Sequence, residues 1–175
     1  TAHAGQTEKV ASAVAECHRL GITVLPPDIN RSQANFSIEK NIDNAPAIRF
    51  GLAAVKNVGL GAIEPILAKR SKGGEFKSIE DLCRRCDLRG VNKRVMESLI
   101  KVGALDSLGD RGALLHNINN LLSLAQNEQR LRETGQSTMF DLWGATVPTP
   151  LPALDLKAVA LITREKAGWE KELLG

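Results

Sequence analysis

A mainly α fold is expected, with two short helix-turn-helix units preceded by a small β-hairpin and followed by a long helix. Three observations predict it. Aromatic residues make up only 3% of the 175 residues and Tyr is absent, while Leu, Ala and Ile are plentiful. That composition suits packed helices better than sandwiches or barrels. Apolar residues recur at helical spacing in several windows. A tight turn between two short helical segments also occurs twice, the turns centred about 33 residues apart. A hydrophobic content of 43% allows one good core, or two small ones joined by a linker.

Val10, Val14, Cys17 and Leu20 place residues 7–20 on one amphipathic helix, which Gly21 stops. Residues 22–27 are extended, because Pro26 and Pro27 forbid a helix. Segments 36–39 and 47–50 carry β-formers on either side of the turn-rich Asn41-Ile42-Asp43-Asn44 and make the hairpin. From Leu52, two short helical segments flank Lys56-Asn57-Val58-Gly59, the second with Ile63, Ile66 and Leu67 inward. Pro65 sits within or just after the first turn of that helix and disturbs its start. Ser78 and Asp81 form the capping signature of a helix ending near Asp87. Arg89-Gly90-Val91-Asn92 then leads into a helix with Val95, Met96, Leu99 and Ile100 inward and Gly103 at its end.

Asp110 caps the longer helix, whose apolar face holds Leu114, Ile118, Leu121, Leu122 and Ala125 and which continues to Glu133, before Gly135. Pro148, Pro150 and Pro152 mark a semi-rigid linker, and residues 156–174 are expected to be helical, with Trp169 against a neighbouring surface. No apolar run approaches the roughly 18 residues of a membrane span, and the N-terminal residues lack a basic-then-apolar signal pattern. A cytoplasmic location with no membrane partner is the expectation.

Cys83-Arg84-Arg85-Cys86 has the spacing of a zinc or redox pair, yet no second pair exists and Cys17 is the only other thiol. Both cysteines fall on the apolar stripe Ile79, Leu82, Cys83, Cys86, so core packing is their expected role and no metal site is expected. An odd number of thiols argues against a disulfide framework and suits a reducing compartment.

The formal net charge of +3 is unevenly distributed. Residues 56–101 hold eleven basic against six acidic groups, while the segments on either side are balanced or slightly acidic. A solvated helical surface would account for that excess, so its placement decides. Helix N-termini expose backbone N–H groups and a partial positive charge, and a tight turn feeding one suits a phosphate oxygen. Gly59 and Gly61 let the backbone approach in the first turn; Gly90 and Asn92 do so in the second, where Asn tolerates left-handed geometry. Lys93 and Arg94 occupy the first helical turn, where a cation opposes the dipole by roughly 0.3–1 kcal/mol. An anion docked there removes the conflict. The candidate contacts to duplex DNA are therefore Lys56, Asn57, Gly59 and Gly61 in the first turn, with Arg89, Gly90, Asn92, Lys93 and Arg94 in the second. Such contacts go to phosphates and are largely independent of base sequence.

Asn57-Val58-Gly59 and Gly90-Val91-Asn92 resemble the small-hydrophobic-small turns of tandem helix-hairpin-helix modules, each with one Asn where the pattern has Gly. Longer strings sharpen the likeness: Val24 to Asn30, Ile48 to Lys56, Val91 to Val95 and Lys101 to Asp106. With them the chain resembles the alpha subunit family of bacterial DNA polymerase III over essentially its whole length. The resemblance implies an end-of-fingers region at 1–50, a tandem helix-hairpin-helix module at 51–109, a helix and clamp-binding peptide at 110–147, and a linker and helix at 148–175 leading to an OB-fold domain. It also implies that Gln136, Met139, Phe140 and Leu142 bind a sliding clamp, in the manner of a Q-x-x-hydrophobic-Phe peptide. The peptide favours the replicative form over an error-prone paralogue. Nucleotidyl transfer in the family uses palm carboxylates holding Mg²⁺, upstream of this chain. No catalytic residue, metal ligand or cofactor is expected within residues 1–175, and other replisome subunits are implied as partners of the full-length protein. The alternative is a free-standing helix-hairpin-helix binding or repair accessory protein.

Overall fold

A computed structural model describes residues 2–41, 43–133 and 163–174. Helix α1 (Ala2–Arg19) starts earlier than its apolar stripe, since Ala2 and Ala4 carry helix propensity without contributing to the stripe. Strands β1 (Thr23–Leu25), β2 (Ser37–Lys40) and β3 (Pro46–Arg49) form one sheet in the order β1-β3-β2. The expected hairpin is the antiparallel β2–β3 pair, with Ile38 opposite Ile48. Its turn is held by Asn41, whose side-chain oxygen accepts from the N–H groups of Asp43 and Ala45, both at 2.9 Å. The parallel pairing of β1 with β3, Val24 beside Ile48, was not expected from the sequence.

The loop between β1 and β2 fastens this sheet to the helices. Ile29 is fully buried; its N–H donates to the Ala104 carbonyl at 2.8 Å and its carbonyl accepts from Arg70 at 2.7 Å. Asn30 pairs with the backbone of Phe76 in both directions, at 3.0 and 2.8 Å. Further on, residues 33–35 cross residues 51–53, Leu52 and Ala53 donating to the carbonyls of Gln33 and Ala34. Gly51 is required at the crossing, because a Cβ there would lie 2.4 Å from the Asn35 carbonyl carbon. These contacts explain two of the strings that carry the resemblance.

The first short helical segment is a single 3₁₀ turn, Leu52–Ala54. Helices α2 (Leu60–Gly73), α3 (Ile79–Arg85) and α4 (Lys93–Lys101) follow. Ser78 caps α3 by accepting from the Asp81 N–H, and Asp81 accepts from the Lys77 N–H. The helix ends at Arg85, two residues short of the expected end, because Cys86 is extended. Arg85 lies over the Phe76 ring and donates to the carbonyls of Lys69, Gly74 and Glu75, so it closes the C-terminal end of α2.

The long helix expected from Asp110 is two helices, α5 (Arg111–His116) and α6 (Ile118–Glu133). Asn117 divides them: its backbone N–H and its side-chain NH₂ both donate to the Ala113 carbonyl, and its φ and ψ of −96° and 11° leave the helical region. Short polar side chains that compete for nearby carbonyls interrupt helices in this way. Leu114 and Leu121 are nevertheless both fully buried. Helix α7 (Thr163–Leu174) returns to the rest of the fold through Leu173, whose carbonyl accepts from the Lys56 N–H. As expected, Trp169 lies against a neighbour, the Lys101 ammonium standing 5.4 Å from its ring centre. Gly135, the proline-rich linker and residues 156–162 lie outside the described residues.

One core runs from Ile29 and Phe50 through α2, α3 and α4 to Leu124 and Leu173. Cys83 and Cys86 belong to it. Burial pushes the Cys83 thiol up to about 12, so it stays protonated at neutral pH.

Candidate nucleic-acid interface

The two turns have parallel construction at their helix starts. Helix α2 begins after Gly59, which has no side chain to cap it, and Ala62 N–H bonds back to the Gly59 carbonyl. The amides of Leu60 and Gly61 are left pointing off the helix end. Helix α4 begins after Asn92, whose side chain accepts from Val95 N–H at 3.0 Å and whose carbonyl accepts from Met96 N–H. The amides of Lys93 and Arg94 are left in the same position. Neither helix has an acidic residue in its first turn.

Two other helices in the same chain neutralise their starts. Helix α3 has Glu80 and Asp81 in its first turn beneath the Ser78 cap. Helix α5 begins on a cation, but Arg111 is paired with Asp106 at 2.8 Å and Glu170 at 2.7 Å. Lys93 and Arg94 are exposed, and among the described residues no carboxylate pairs with either. Two cations on an unneutralised helix start are arranged as an anion would require.

The structure brings the turns together. A Cβ on Gly90 would lie 3.2 Å from the Gly61 carbonyl oxygen and 3.6 Å from the Ala62 Cα, so glycine allows the second turn to rest on the first helix. The proline at 65 has a role here. Pro65 lacks an N–H, which leaves the Gly61 carbonyl without its i+4 donor at the point where Gly90 approaches. Asn57 makes a second link, its NH₂ donating to the Ser98 hydroxyl of α4 at 3.1 Å. Gly90→Val is therefore expected to destabilise the chain by about 1–3 kcal/mol through overpacking against backbone atoms. Urea unfolding would measure it; unchanged stability would mean that the turns are not in contact in solution.

The left-handed asparagine is not the one expected. Asn92 is not left-handed: at φ −74° it is an ordinary side-chain cap. Asn57 takes the left-handed conformation, at φ 70°. Its side chain is also committed to Ser98, a partner 41 residues away that nothing in the local sequence marks. Arg89 folds back on its own turn, its guanidinium gripping both oxygens of Asp87. It contributes less free charge than Lys93 or Arg94. Lys56 is half-buried and lines a groove with Asn57, Gly59 and, from α1, Lys9, a residue that sequence reasoning passed over. The clamp-peptide residues Gln136, Met139, Phe140 and Leu142 lie outside the described residues.

Residues 21–114 match the family model described as the helix-hairpin-helix motif. The chain is 46% identical over 80% of its length to DNA polymerase III subunit alpha of Vibrio cholerae, of which it covers 12%. It is 41% identical over 97% of its length to DNA polymerase III subunit alpha of Thermus aquaticus, covering 13% of that protein. With the Pseudomonas aeruginosa subunit the identity is 31% over the whole chain, which covers 16% of it. The chain thus spans a small part of the length of the relatives it matches.

Proposed function

Because the chain belongs to the helix-hairpin-helix family and matches a segment of DNA polymerase III alpha subunits, we propose that it holds duplex DNA by its phosphate backbone within such a polymerase. The carrying observation is the pair of adjoining helix starts, Leu60–Gly61 and Lys93–Arg94, each with free amides and no first-turn acid. Each start takes one phosphate oxygen, and Lys93 and Arg94 add charge-assisted bonds. The spacing of two phosphates, not base identity, sets the fit.

In this reading the segment contributes binding to a DNA-directed DNA polymerase, and nucleotidyl transfer with Mg²⁺ belongs to a palm elsewhere in the full-length protein. Residues 136–142 tether the enzyme to a sliding clamp for processive synthesis, in the cytoplasm and alongside other replisome subunits. The chain should bind two unrelated duplexes equally, with log K falling linearly against log salt by about 0.9 per phosphate contact. It should extend no primer when given Mg²⁺ and all four nucleotides. Strong preference for one base sequence would count against backbone recognition, and primer extension by the pure chain would place catalysis inside it.

A further inference from the structure

The groove beside the first turn holds more than the turn itself. Along with Lys56, Asn57 and Gly59 it is lined by Lys9 of α1 and by Asn35 and Phe36 of the loop before β2, and no acidic side chain among the described residues lines it. Phe36 is 41% exposed, unusual for a Phe in a chain with only four. Its ring is fixed, meeting Phe50 edge to face with centres 4.6 Å apart, while Phe50 itself is buried. The backbone beneath it is fixed as well, since residues 34–35 are pressed onto Gly51.

A half-open aromatic ring packed on Phe50, in a groove that two lysines also line, has the two parts of a single-strand site: a face on which a base stacks, and cations that follow the phosphates. Bases inside a duplex are already stacked on both faces and offer none to such a ring. We infer that the groove of Lys9, Asn35, Phe36 and Lys56 binds an unpaired stretch of DNA, one base stacking on Phe36 and a flanking phosphate meeting Lys9. The groove shares its edge, Asn57 to Gly59, with the first hairpin, so a strand leaving the duplex there enters it directly. Phe36 also borders an apolar hollow with Val10, Val14, Cys17, Val24 and Ile48. That hollow widens the surface open to the base beyond the ring.

The test uses the 175-residue chain and three labelled probes: a short oligothymidylate, an abasic strand of equal length, and a blunt duplex. Wild-type chain should prefer oligothymidylate to the abasic strand. Phe36→Leu, which keeps apolar area on Phe50, should weaken oligothymidylate binding about fivefold or more and leave the other two probes unchanged. Phe36→Trp should retain it. Lys9→Ala should weaken both single strands alike, with a salt slope shallower by about 0.7. Equal binding of abasic and oligothymidylate strands by the wild-type chain overturns the inference, as does a folded Phe36→Leu chain that binds as wild type does. Loss of duplex binding alone counts against the hairpin reading and leaves this one standing.

Discussion

Replacing Lys93 and Arg94 together by Ala is expected to weaken duplex binding by roughly a hundredfold or more at low salt. Each replaced side chain loses a charge-assisted bond to a phosphate, and such bonds contribute about 1.5–3 kcal/mol. The salt slope should become shallower by about 0.9 for each lost contact, equally for unrelated sequences. Stability should hold or rise slightly, because the two cations oppose the α4 dipole and no described carboxylate pairs with them. That combination distinguishes a binding role from a structural one. Structural side chains lost from a surface lower stability and leave the slope alone. Binding titrations at several salt concentrations, alongside thermal unfolding, read both quantities; unchanged affinity and slope would remove these residues from the interface.

Phe140→Ala is expected to weaken binding to a sliding clamp by at least about tenfold, since a buried Phe side chain is worth about 1.5–3 kcal/mol. Gln136→Ala should cost less, its amide serving the polar rim of the pocket. Duplex binding should survive both changes, because the capping bonds at the starts of α2 and α4 come from Gly59 and Asn92. Calorimetric titration of the clamp with wild-type and Phe140→Ala chains decides it. Equal affinity from a folded variant would make the peptide a piece of the chain's own core.

Much of the architecture was legible because it is local. The inward stripes of α3 and α4, the Ser78 and Asp110 caps and the β2–β3 hairpin are encoded within a few residues of where they act. Residues 22–27 read as extended, but the parallel pairing of β1 with β3 was missed because the partner lies over twenty residues away. The break at Asn117 was hidden by an apolar spacing that continues across it from Leu114 to Ile118 and Leu121. Hydrophobic period reports which residues face inward, and a helix interrupted by one residue can keep that facing.

At the candidate site, glycine and helix periodicity located both turns, but the asparagines could not be told apart from sequence. An Asn can supply either a left-handed backbone or a capping side chain, and Asn57 and Asn92 take opposite options. Charge was legible only as an excess. Of the eleven cations in residues 56–101, Arg70 is bound to the Ile29 carbonyl, Arg85 to the end of α2 and Arg89 to Asp87. The charge open to a polyanion is therefore narrower than the count implied, and Lys93 and Arg94 are the part of it that stands at a helix start.

On the proposed reading, two helix starts held side by side present their free amides to DNA phosphates. Amide-resolved NMR of the chain during titration with a duplex tests it most directly. The amides of Leu60, Gly61, Lys93 and Arg94 are expected to shift together, saturating at one duplex concentration and identically for unrelated base sequences. Shifts absent from both turns, with saturable binding mapped to another surface, would contradict it.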